Sequence, residues 1–451
     1  MKAYDLVLRG GTLVSPQGTI RADVGVAGEK IVAVGLDLSG KHEIDASGKL
    51  VIPGVIDAHT HMALPVAGTQ SSDDFFTGTR AAACGGVTTI VDFTVGTQET
   101  SIPEEIEARK EEAASSVIDY ALHGEVVGWH PGNEAEFRDA VKLGIKTFKF
   151  YTAYASSGRS SDSGVLYHAF GVLADLDAVA LVHCEDDPII DAILQQMGSE
   201  AKGKMTSLAQ ARPPICEGAA IYQVVYLAEQ VGVKVHIVHV SSELGLTAVK
   251  RAKARGVRLT AETCPQYLLL TKEVYDRADG HFFSASPALR EEGNQQALWQ
   301  GLSDGALDLV ATDHCPFTRE QKTWKGSFLD LPYGLPGVET LLPLLYSEGV
   351  GKGRLPLTAL PQLLSEGPAR VNGLYPRKGT LSIGSDADIV ILDPEKEWTI
   401  HAKKLHMTTD FSPYEGKQVR GAVEATISRG RIVYVDGTFQ GEEGWGRFIP
   451  G

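Results

Sequence analysis

Between about residues 52 and 376, short apolar, β-branched runs alternate with charged helical stretches, and the alternation repeats eight times. The runs are VIPGVID, VTTIVDF, DYALHGEVV, IKTFKFY, AVALVH, KVHIVHV, VRLTAE and LDLVAT, and segments such as PEEIEARKEEAASS, NEAEFRDAVKL and ELGLTAVKRAKARG fall between them. A strand that is apolar on both faces must be covered on both, which suits a parallel sheet with helical crossovers. Eight such units suggest an α/β fold of TIM-like (β/α)8 type. The competing open, doubly wound sheet expects a glycine-rich phosphate loop after an early strand. Neither G-x-G-x-x-G nor G-x-x-x-x-G-K-[ST] follows the first strands.

The two ends of the chain read differently from its middle. YDLVLRGGTLV and RADVGVAGEKIVAVG are alternating strands with glycine turns, and so are GTLSIGSDADIVILDP and AVEATISRGRIVYVDGTF. The expectation is a smaller β-sandwich domain built from residues 1–52 and 377–451, the latter carrying a tail, around a barrel over 53–376. A net charge of −15 argues against nucleic-acid and anionic-membrane partners, which call for basic surface. The start MKAYDLVLRGG is not a secretory signal, and no apolar run approaches the ~20 residues of a membrane span. Cys84, Cys184, Cys216, Cys264 and Cys315 are scattered without a CxxC pair, so each reads as a small buried hydrophobe in a reducing cytoplasm.

Active sites of such barrels lie at the C-terminal strand ends, so the residues ending each run matter most. VIDAHTHM ends the first run with His59 and His61, which project to one side with Asp57 behind them. Lys149 lies in the fourth run, His183 ends the fifth, His239 the sixth and Asp313 follows the eighth. Any one of these alone is open to an ordinary structural reading. Four of the thirteen histidines and an aspartate converging on one mouth suit zinc or a related divalent ion. Lys149 fits such a site only after reaction with carbon dioxide, which turns a cation without a lone pair into a carbamate.

DAHTH, FKFYTAY, the two strand-end histidines and TDHCPF resemble the cyclic-amidohydrolase branch of the amidohydrolase superfamily. CPQYLLLT, SPALR, TDHCPFTREQK, GLPGVE, RKGTLSIGSDADIVILDP and DFSPYEG narrow the resemblance to dihydropyrimidinases and D-hydantoinases, and it spans essentially the whole chain. The resemblance implies two zinc ions bridged by N6-carboxylated Lys149, with His59, His61, Lys149 and Asp313 on one and Lys149, His183 and His239 on the other. It also implies a homotetramer, and the apolar tail GEEGWGRFIPG is a candidate to dock on a neighbour.

Within the superfamily, dihydroorotases place an arginine, and allantoinases an asparagine, two residues beyond the second metal histidine. Ala63 stands there, so a substrate carboxylate has no cation to meet. The implied reaction is opening of a cyclic ureide to an N-carbamoyl amino acid by a hydroxide bridging the two ions. Asp313 acts as base and then acid, Tyr154 stabilises the oxyanion, and Ser286 binds the imide edge. Tyr333, in LPYGLPGVE, replaces the usual asparagine, which keeps substrate contact at that position only if the backbone makes it. The other readings are an allantoinase and a non-catalytic scaffold protein of the dihydropyrimidinase type, the latter lacking metal ligands that are all present here. The loops MALPVAGTQSS and AYASSGRSSDSG are placed to shape the pocket for an exocyclic substituent.

Overall fold

The computed structural model describes residues 4–451. Eight parallel strands follow one another in chain order: Val55–Thr60, Val87–Phe93, Asp119–Glu125, Thr147–Tyr151, Val179–His183, Lys234–Ile237, Leu259–Thr263 and Leu309–Val310. The first three are buried at every position, as strands covered on both faces must be. The expected crossover helices form at Ile102–Glu112, Asn133–Lys142 and Glu243–Ala254. Local chemistry starts them cleanly. Ser101 and Glu104 exchange bonds in a capping box, and a proline occupies the first turn of the Ile102 helix.

The eighth strand has only two ladder residues, where the run LDLVAT suggests six. Its later backbone groups bond to side chains instead. Thr312 N donates to Asp57 Oδ1 at 3.0 Å, and the Thr312 hydroxyl donates to Asp57 Oδ2 at 2.5 Å. Asp57, behind the histidines, thus stitches the first strand to the eighth. Burial pushes its pKa up to about 7. Just beyond, His61 N bonds His314 O at 2.8 Å and His314 N bonds His59 O at 3.3 Å, completing the barrel seam.

The chain ends build one nine-stranded sheet. Leu50–Pro53 from the N-terminal part pairs antiparallel with Ile389–Thr399 from the C-terminal part, joining the two. Tyr4–Ser15 runs parallel to Gly40–Asp45 along its first half and to Leu50–Pro53 along its second. Its pairing with Gly18–Ala27 breaks between Leu8 and Gly11, where Gly10 takes a φ of +68° that a side chain disfavours. The sheet folds over a core of its own, including Leu6, Val24, Val26, Ile31, Ile389 and Ile427.

The tail packs on its own chain around residues 447–449. Ile449 N donates to Tyr120 O at 2.7 Å and Tyr120 N to Arg447 O at 3.0 Å, adding a short parallel bridge to the third barrel strand. Ile449 is fully buried in a cluster with Ile56, Ala58, Val91, Ala121, Leu309 and Ala311. Burial of Ile449 there takes apolar surface of tail and barrel out of water together. All five cysteines are free and buried, as their spacing suggests.

Candidate active site

The barrel seam builds the first half of the site. Because the segment after Leu309–Val310 is pinned to the first strand, Asp313 faces the histidines. Its Oδ1 lies 3.2 Å from His59 Nε2 and 3.1 Å from His61 Nε2. Asp313 has a left-handed φ of +53°, a conformation that costs energy and tends to gather at functional positions. Burial alone would raise its pKa, but His59 and His61 hold it below the ordinary carboxylate range. Asp313 and His61 are also the members that solvent reaches, at 17% and 13% side-chain exposure.

The second half sits on the fifth and sixth strands. His183 Nδ1 and His239 Nε2 lie 2.9 Å apart. His239 lies two residues past its strand, at a φ of +40° that turns it toward His183. Burial lowers the pKa of His59, His183 and His239, the last well below its ordinary value. Neutral imidazoles gathered this closely are good donors to a cation. The His59 and His239 rings are 5.5 Å apart, so the two halves adjoin.

Phe93 forms their common wall. Its ring is 4.7 Å from that of His59 and 4.8 Å from that of His61, and Lys149 Nζ lies 4.9 Å from its centroid. Lys149 is 1% exposed and, among the described residues, makes no ion pair or hydrogen bond; burial pulls its pKa down to about 8. A buried amine without an acceptor beside four imidazoles is costly as an ammonium. Its neutral form is the nucleophile that carbon dioxide requires. The donor set of His59, His61, His183, His239, Asp313 and a carboxylated Lys149 therefore fits a pair of divalent ions.

Several supporting residues escape sequence reasoning. Glu262 accepts from His59 Nδ1 at 2.6 Å and from His236 Nε2 at 3.2 Å, which leaves His59 Nε2 free to face Asp313. Glu185 plays the same part for His183, with Nε2 at 3.0 Å. Glu262 ends the run VRLTAE and Glu185 lies two residues beyond the histidine that ends AVALVH, so both positions are usable signals in hindsight. Arg212, paired with Glu185, carries no such signal. Nor does Lys322, whose buried Nζ donates to Phe282 O, Ser284 O, Ser284 Oγ and Gly334 O at 2.6–3.0 Å.

Tyr154 and Ser286, 132 residues apart, meet at 2.6 Å through their hydroxyls, and the Tyr154 ring packs 4.9 Å from that of His183. Tyr333 does not join them through its phenol, which donates to Phe328 O at 3.1 Å. Its neighbour Gly334 bonds Ser284 O at 3.0 Å, so the Tyr333 backbone passes beside the Ser286 segment. Ala63 opens the loop after His61 at a φ of +47°. In the other pocket loop, Arg159 pairs with Glu125, which also accepts from Tyr151 at 2.8 Å.

A parallel barrel whose mouth gathers four imidazoles, a carboxylate and a lysine defines the class of metal-dependent barrel hydrolases. The chain belongs to the amidohydrolase family, whose model matches residues 50–433. D-phenylhydantoinase of Escherichia coli O1:K1 is 40% identical over 98% of this chain and 97% of its own length. Among solved structures, dihydropyrimidinase from Brevibacillus agri superposes with a TM-score of 0.96 at 37% identity, covering 98% of each chain. L-hydantoinase (dihydropyrimidinase) from Arthrobacter aurescens does so with a TM-score of 0.93 at 31% identity, over 99% of this chain and all of its own. D- and L-hydantoinases share this fold, so the fold alone does not set handedness.

Proposed function

We propose that this chain hydrolyses the ring amide of dihydropyrimidines or 5-substituted hydantoins, giving N-carbamoyl amino acids. One observation carries the reading: two histidine donor sets adjoin at the barrel mouth, with Lys149 and Asp313 among them and the Tyr154–Ser286 pair alongside. His59, His61 and Asp313 would hold one divalent ion, His183 and His239 the other, and carboxylated Lys149 would bridge them. Bound there, two zinc ions would supply an acidified water and a Lewis acid for the carbonyl. Asp313, anionic and reached by solvent, takes the proton of the attacking water and returns it to the leaving nitrogen. The Tyr154 hydroxyl donates to the developing oxyanion, and Ser286 orients the ring. Substrate contact at Tyr333 falls to its backbone, since its phenol is engaged with Phe328.

The allantoinase and scaffold readings lack a supporting observation: Ala63 offers no polar group, and every candidate ligand is present. A division at residues 52 and 376, a homotetramer and a cytoplasmic setting complete the proposal. No described helix is long and apolar enough to cross a membrane. A panel of dihydrouracil, hydantoin, allantoin and dihydroorotate tests the assignment. The first two should be opened far faster than dihydroorotate, and dihydroorotate as best substrate would overturn the argument from Ala63.

A further inference from the structure

The mouth contains a hydrogen-bond chain whose direction is fixed at one end. Glu185 is fully buried, and its carboxylate receives Arg212 Nε at 3.1 and 3.2 Å and Arg212 Nη2 at 2.5 Å. A carboxylate gripped by a guanidinium has acceptors only. Ser286 therefore donates its single proton to Glu185 Oε2, at 3.0 Å. With that proton engaged, Ser286 Oγ can only accept across its 2.6 Å contact with Tyr154, and Tyr154 is the donor. The one Tyr154 proton lies on Ser286 here, so a ligand carbonyl that takes it frees a Ser286 lone pair beside it, and acceptor and donor then stand side by side.

A ring amide presents the complement, because the ring holds its N–H and C=O cis to one another. We infer that Glu185 is a positioning residue that sets the polarity of this pair, so that Ser286 accepts from the ring N–H while Tyr154 donates to the adjacent carbonyl. The neighbouring residues serve the same end. Asp187 accepts from Tyr154 N at 3.1 Å and Ala155 N at 2.7 Å, fixing Tyr154 at a φ of +71°. The Arg212 guanidinium lies 5.5 Å over the Tyr154 ring. Residues 183, 185 and 187 of one segment hold a ligand face, the serine and the tyrosine loop in turn. A glutamine at position 185 could donate to Ser286 instead of accepting, and the polarity would no longer be imposed.

The inference rests on the cyclic-amide reading, and its test separates the two. Dihydrouracil is compared with its N3-methyl derivative, which keeps the carbonyl and lacks the N–H. Wild-type enzyme should favour dihydrouracil in kcat/KM by on the order of 10^4-fold, as a site built around a substrate N–H does. Glu185→Gln should narrow that ratio by about tenfold or more, with zinc content measured on the same preparation. Ser286→Ala leaves Glu185 and His183 in place and should narrow it too. An unchanged ratio in folded, metal-replete Glu185→Gln enzyme overturns the inference. If that variant loses metal, an unchanged ratio in Ser286→Ala overturns it alone, because the acceptor role is then absent. If only hydantoin is opened, the same comparison is made with hydantoin and its N3-methyl derivative; wild-type enzyme that opens neither dihydrouracil nor hydantoin contradicts the cyclic-amide reading instead.

Discussion

Among the described residues, two clusters of metal-type side chains differ in what occupies their centres. At the barrel mouth, His59, His61 and Asp313 bring ligand atoms within 4.8 Å of one another, and Asp119, Asp386 and Asp388 do the same where the barrel meets the terminal sheet. The second cluster holds cations of the chain itself. Lys378 Nζ lies 2.6 Å from Asp119, 3.1 Å from Asp386 and 2.7 Å from Asp388, and Arg429 Nε lies 2.9 Å from Asp119. At the mouth, no lysine or arginine pairs with Asp313 among the described residues; its partners are His59 and His61, and Lys149 has no partner among the described residues. A gathering of carboxylates is therefore not a metal site by itself. What separates a structural lock from a ligand site is whether the fold has already supplied the countercharge.

Removing metal should break the comparison most sharply. Chelation should lower hydrolysis by roughly a thousandfold or more, and divalent zinc should restore it. Elemental analysis of the untreated protein should find close to two divalent ions per chain, all lost from the mouth; a third ion that Asp388→Asn abolishes would show the lower cluster to be a metal site after all. The next largest effect belongs to Lys149→Ala. Losing a bridging ligand should reduce metal occupancy beyond the roughly 10–100-fold that an outer partner costs, while circular dichroism stays that of the folded barrel. Short carboxylic acids, standing in for the carbamate, should restore part of the activity. A crystal structure with both ions bound and an ordinary ammonium at Lys149 would refute the carbamate.

Lys378→Met should behave in the opposite way. It leaves Asp119 and Asp388 buried around an absent charge, so unfolding free energy should fall by about 3–5 kcal/mol with metal content unchanged. Urea denaturation of the metal-loaded protein measures this. A variant that instead loses metal would join the two clusters energetically and erase the distinction drawn between them.

The barrel and the mouth were legible for a shared reason. Strands buried on both faces must be apolar along their length, and polar residues at their ends then stand out, as His59, His61, His183 and His239 do. Asp313 likewise stands out just past the eighth run, whereas Tyr154 was found through motif resemblance, since its left-handed backbone leaves no periodic trace. The lower lock was illegible: Lys378 and Asp119 are 259 residues apart, and isolated charges in sequence look like surface. Arg212 and Lys322 were missed on the same ground. The tail's apolarity predicts burial but not against what, and Ile449 is buried in its own barrel.

The smallest effect sharpens the lower cluster by pH. Burial would raise the pKa of Asp386, but Lys378, Lys30 and Arg377 outweigh it and bring it down to about 2. A carboxyl whose folded pKa lies below its unfolded value near 3.9 releases its proton more readily in the native state. Its contribution to stability is therefore complete above about pH 4 and disappears as pH falls toward 2. The difference in unfolding free energy between wild type and Asp386→Asn should accordingly shrink across that window and stay level above it. Salt should remove only part of the difference, since Lys30 and Arg377 are 46% and 43% exposed while Lys378 is 1% exposed. A difference that is flat from pH 5 to 2 would mean that Asp386 contributes through packing, and the lock would then rest on Asp119 and Asp388 alone.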